Sequence, residues 1–181
     1  PMPELAYLSG AGYPLVRDGA CLLATHSDGA VGAVWSVLAR IAQAGRRLAD
    51  FVFVDPALEE GRARPLLVMG AREDIPSVWW QGTPLASNNL DRPDLEATRL
   101  AIRSRQVDLV AQYVRDGRTV TLFSAADGAH IEEAAWRLTD YPVWNAMKGD
   151  GWMWAIDADQ DDSGHALRLM TGVAGGSEER P

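Results

Sequence analysis

The chain has 181 residues, a formal net charge of −8 and 47% hydrophobic residues, which suits one domain with a sizeable buried core. The acidic balance and dispersed arginines (Arg46, Arg47, Arg62, Arg64, Arg99, Arg103 and Arg105 form the only clusters) exclude a concentrated basic face, so no nucleic acid is expected as a partner. No apolar run approaches the roughly 18 residues of a membrane span and a single cysteine, Cys21, excludes an internal disulfide, so the expectation is a cytoplasmic protein with no membrane partner.

Residues 21–25 read as a first strand. A helix follows over 30–44, with Val31, Val34, Trp35, Leu38 and Ile41 on its apolar face and Gly45 placed to cap it. "FVFVD" at 51–55 and "PLLVMG" at 65–70 are continuous apolar runs, the pattern of strands covered on both faces. Asn88, Asn89 and Asp91 precede a helical reading over about 93–115, built on Leu95, Ile102, Val107, Val110 and Val114, which Arg115-Asp116-Gly117 stops. "TVTLFSA" at 119–125 is the fourth strand and "IEEAAWRL" at 131–138 a short helix. "GWMWAID" (151–157) and "HALRLMTGV" (165–173) flank an acidic turn and predict an antiparallel hairpin.

Strands alternating with helices predict an α/β fold. The expected form is a three-layer sandwich whose mostly parallel central sheet has about four or five strands, with a C-terminal antiparallel hairpin. Residues 1–173 form its single domain and 174–181 a frayed tail.

The corner between the first strand and helix, "ATHSDGAVG", sits where α/β sheets place ligands. Read as a phosphate loop it would put Ala33 where the lysine belongs, leaving nothing to neutralise a phosphate. His26, Asp28 and Gly29 echo the opening of a dinuclear metal phosphoesterase, but a metal-binding carboxylate is missing and no Asp-His-His follows. With histidines only at 26, 130 and 165, no metal site and no cofactor are expected. "Asp157-Ala-Asp159-Gln-Asp161-Asp162" starts like a calcium loop, yet its sixth position is Asp162 and its twelfth is Arg168; a solvated turn is the expectation.

"Thr25-His26-Ser27-Asp28-Gly29" resembles the G-x-S-x-G nucleophile elbow, with threonine at the first glycine. From there to about residue 135 the chain resembles the α/β-hydrolase superfamily of the esterase and thioesterase kind. "RPLLVMGAREDIP" is similar to the strand bearing the family's acid, and "TVTLFSAADGAHIEEA" to the segment bearing its histidine. The resemblance implies Ser27 as nucleophile, His130 as base and Asp74 as its orienting acid. Asp28 and Gly29 would form the oxyanion loop, and the substrate would be a small-molecule ester.

The alternative is a non-catalytic, Rossmann-like module that binds a protein partner. Seven tryptophans favour it. Trp35 and Trp136 lie on helix faces and read as core. Trp79 and Trp80 (in a loop expected over 78–89) and Trp152 and Trp154 (one face of the hairpin) are either core or the interaction surface.

Overall fold

The structure, a computed structural model, describes residues 4–55, 64–81, 83, 107–155 and 166–167, with residues 153–155 and 166–167 described by backbone alone. Two short helices, α1 (Leu5–Ala11) and α2 (Leu15–Asp18), lead into β1 (Gly19–Leu23), α3 (Asp28–Gly45), β2 (Phe51–Phe53) and β3 (Leu66–Ala71). One helical turn, α4 (Ser77–Trp80), precedes β4 (Val107–Arg115) and β5 (Arg118–Ala125). The chain then forms α5 (Ile131–Thr139), α6 (Tyr141–Ala146), β6 (Gly151–Ala155) and β7 (Ala166–Leu167).

The strands form one seven-stranded sheet in the order β2-β1-β3-β5-β4-β6-β7. β2, β1, β3 and β5 are parallel, whereas β4, β6 and β7 pair antiparallel, so the protein is α/β with a mixed sheet larger than four or five strands. Side chains alternate across it as a pleated strand requires. Cys21, Leu67, Met69 and Phe123 face a core built with α1, α2, α3, α5 and α6. Ala20, Leu22, Leu66, Val68, Val120 and Leu122 face a second core with Ile75, Tyr113, Trp79 and Trp80. The terminal pairing of β6 with β7 is the antiparallel hairpin the sequence predicts.

The largest departure is at 107–115, which is strand β4 rather than the end of a helix; 93–106 lie outside the described residues. Asp116 and Gly117 both take positive φ (50° and 78°), the two-residue turn that joins β4 to β5. Asp-Gly is thus a hairpin turn and not a helix stop. Val107 to Tyr113 are all buried, so their near-continuous apolar run comes from coverage on both faces, which hides the period of two.

In α3 the buried set is Ala30, Ala33, Val34, Val37, Leu38 and Ile41. The alanines let the helix approach closely and rotate Val31 and Trp35 outward, leaving Trp35 58% exposed instead of in the core. Trp136 is likewise outside, 71% exposed, because Ile131, Ala134, Ala135 and Leu138 take the inner face of α5. Gly45 ends α3, but the left-handed cap is Arg46, whose N–H and that of Arg47 bond the carbonyls of Gln43 and Ala42. Gly45 is needed for packing: a Cβ there would stand 2.5 Å from Val16 Cγ2. β2 is the sheet's edge and half open, not covered on both faces.

Candidate functional site

The loops leaving β1, β3 and β5 meet at the carboxyl end of the parallel strands. β1 leads through α3 to β2 on one side, while β3 is followed in the sheet by β5 on the other. This divergence is where a doubly wound sheet opens a crevice. Here the crevice is bridged. Thr25 is buried; its Oγ1 accepts the Ala71 N–H at 2.7 Å and donates to Asp74 Oδ2 at 2.7 Å. Gly70 makes room for it, since a Cβ there would meet Ala24 Cβ at 2.9 Å and Thr25 Oγ1 at 3.2 Å. At the end of β5, buried Asp108 Oδ1 accepts the Ala126 N–H at 2.8 Å.

Ser27 stands next in the first loop with extended backbone, φ −145° and ψ 161°. Its Oγ accepts the Ala30 N–H at 3.1 Å, the N-cap bond that starts α3. Asp28 follows in the first turn, where a carboxylate complements the helix dipole. Gly29 and Gly32 face α5: a Cβ on Gly29 would lie 3.6 Å from Glu132 Oε2, and one on Gly32 would lie 3.2 Å from Glu132 Oε1. His26 is exposed beside them.

His130 is half-exposed, and its ring partner is Asp127: Nδ1 lies 2.7 Å and 2.8 Å from the two carboxylate oxygens, and the His130 backbone N–H adds a bond at 3.0 Å. Desolvation is the largest single influence on Asp127 and opposes its ionisation, but the side-chain and backbone bonds from His130, the charge of its ring and the Ala129 N–H together outweigh it and hold the carboxyl below its usual value. Glu73 Oε1 accepts the Gly128 N–H at 3.3 Å and ties this loop to the one after β3.

The three residues of the expected triad therefore sit on three neighbouring loops, each with its own partner. Ser27 caps a helix, Asp74 receives Thr25 and His130 holds Asp127. Among the described residues no hydrogen bond joins the three to one another. Asp127 is the acid that sequence reasoning missed; the Asp-x-x-His spacing within one tight loop is the signal that could have found it. Among the described residues no group of three or more His, Cys, Asp or Glu converges as a metal site, and no helix is long and apolar enough to cross a membrane. Burial pushes the Cys21 thiol up to about 12, which leaves it inert.

Of the four tryptophans that read as either core or interaction surface, Trp152 is 5% exposed and belongs to the core. Trp154 is placed by backbone alone, paired with Asp108 and Ala166. Trp79 and Trp80 form α4 and are half-buried against the second core. Arg115 and Arg118 lie 5.3 Å and 5.7 Å from the Trp79 ring, Arg72 lies 5.9 Å from that of Trp80, and Tyr113 Oη donates to the Trp79 carbonyl at 2.5 Å. Trp144 is core in α6, its Nε1 donating to the Ser9 carbonyl at 2.9 Å.

A further aromatic pair joins α3 to β2. Trp35 packs edge-on against Phe53 (centroids 5.8 Å apart, planes at 67°), and both stay about half exposed, with Val31 one turn away and Val52 on the strand's other face. The Gly19 N–H bonds the Asp50 carbonyl and the Val54 N–H bonds the Cys21 carbonyl, so even-numbered residues of this segment face β1. The N–H and C=O groups of Phe51 and Phe53 point away from β1, to the side where no strand lies among the described residues.

The fold and this site define an α/β protein with a bridged switch-point crevice and an open aromatic edge. No protein-family model matches the chain, and no curated protein matches it.

Proposed function

We propose that this chain is a non-catalytic, Rossmann-like module that binds a protein partner at the β2 edge. The observation that carries the reading is the β2 edge itself: among the described residues no strand pairs with the outer backbone groups of Phe51 and Phe53, which lie beside the exposed Trp35–Phe53 pair. An extended segment laid along β2 gains main-chain hydrogen bonds, with alternate side chains set against these aromatics. The carboxyl edge supports the same reading, because the crevice is bridged by Thr25 and the Ser27 hydroxyl already serves as a helix cap. A serine hydrolase would instead hold its nucleophile on a strained turn, hydrogen-bonded to its base.

The test places a photo-crosslinking residue at Phe53 in the full protein in its own cell. One discrete protein adduct is expected, lost when Trp35→Ala is added and absent when the crosslinker replaces exposed Gln43. Equal capture at both positions would refute the edge. Labelling of Ser27 by a fluorophosphonate, with ester turnover lost in Ser27→Ala, would replace the reading with the hydrolase one.

A further inference from the structure

A second surface, independent of the β2 edge, lies at the other end of α3, about 27 Å from Ser27 by helix length. There the turn joining α1 to α2 meets the helix C-terminus and leaves an open cleft of about 710 Å³. Ala11, Val16 and Gly45 line its apolar part; Tyr13, Arg17, Arg46 and Arg47 supply the rest. The walls come this close because Gly12 and Gly45 lack side chains: a Cβ on Gly12 would lie 2.5 Å from the Ile41 carbonyl oxygen. Tyr13 leaves about half of its surface open to solvent.

The three arginines come from two elements and line one cleft, with no counter-charge there among the described residues. Arg17 lies in the last turn of α2, whereas Arg46 and Arg47 leave the tight left-handed turn after α3. Among the described residues none of the three forms an ion pair, and no carboxylate lines the cleft. Asp18, the nearest acid in sequence to Arg17, is engaged by Arg64 at 3.0 Å. Cations at the end of α3 complement its dipole, which accounts for Arg46 and Arg47 but not for Arg17. Three like charges around one cleft repel, in a protein whose net charge is −8. An anion relieves that repulsion, and guanidinium forks match carboxylate and phosphate oxygens in pairs.

The geometry points to a binding site for a small organic polyanion: two or more phosphate or carboxylate groups held by Arg17, Arg46 and Arg47, with a flat or apolar body against Tyr13 and Val16. A cleft of this volume is in the range that takes a small molecule.

Isothermal titration at low salt tests it, with inorganic pyrophosphate, adenosine diphosphate and citrate as probes. Saturable 1:1 binding of at least one probe is expected, weakening as salt rises. Preference for pyrophosphate and the nucleotide assigns phosphate as the recognised group; preference for citrate assigns carboxylate. Arg46→Gln with Arg47→Gln weakens binding by roughly tenfold or more, and Arg17→Gln does so separately from another element. Arg137→Gln, on α5 and outside the cleft lining, leaves it unchanged. Each variant's ligand-free melting temperature is compared with the parent's, and Arg17→Gln decides the matter should the double variant not fold. Absence of saturable binding for all three probes at millimolar concentration, or arginine variants that bind like the parent, would overturn the proposal.

Discussion

Replacing Thr25 by valine keeps the shape of the side chain and removes both bonds of the bridge. Ala71 is fully buried, so its N–H loses a 2.7 Å partner and no water can replace it, at a cost of about 1–3 kcal/mol. Asp74 is exposed and turns to solvent, so the loss of its 2.7 Å bond adds little. The added methyl group returns up to about 0.8 kcal/mol. The net expectation is a destabilisation of about 1.5 kcal/mol. With a urea slope of roughly 2 kcal/mol per molar, the unfolding midpoint falls by about 0.75 M. Thr25→Ser keeps the hydroxyl and loses one methyl, so it costs only about 1 kcal/mol. Urea titrations of the three proteins decide the matter. If Thr25→Val stays within about 0.5 kcal/mol of the parent, or unfolds later than Thr25→Ser, the bridge does not hold β1 to β3.

Ser27→Ala removes the α3 cap and is expected to cost about 1 kcal/mol, with Ser27→Asp recovering most of it; urea midpoints read both. The depressed Asp127 carboxyl gives a pH test with a fixed sign. Its stabilisation is complete above the ordinary value of 3.8 and is lost as pH falls through the lower folded value. The pair is more than a third exposed, so screening keeps the effect small. Midpoints of the parent and Asp127→Asn should therefore differ slightly near neutrality and converge in acid; a constant gap would count against the pair. Buried Cys21 should resist a disulfide-exchange reagent at about pH 8 and react fully in urea, and rapid labelling of the native protein would contradict its placement in the core.

The sequence was most readable where one physical signal acted alone. β3 and β5 are apolar runs of strand length bounded by turns, and they appear within a residue of their expected limits. The corner 24–29 was legible as a strand-to-helix turn, because a serine followed by a helical pattern is also an N-cap. The Thr25 bridge at the same corner was not legible, because its partner Ala71 lies 46 positions further along the chain. β4 was misread because burial on both faces erases the alternation that separates strand from helix. The orientation of α3 was misread because small alanines, rather than Trp35, set its contact face. Asp127 was missed because similarity to a known arrangement directed attention to Asp74. The open β2 edge depends on strand order, and local sequence does not encode which strand ends a sheet.

The two-residue turn at Asp116–Gly117 has a bearing on how the chain reaches this structure. β4 and β5 are neighbours in sequence, so their pairing closes almost no loop, whereas β1 reaches β2 only after α3 has formed. Short hairpins form in microseconds, well ahead of pairings that await a crossover. The sheet is therefore expected to grow outward from its middle, with β3 adding to one flank of the hairpin and β6 to the other. Folding rates should then respond to Leu122→Ala and Val110→Ala more than to Val52→Ala at the edge. A template made early and centrally leaves β2 as the last parallel strand to join, and so the one most easily extended by another chain.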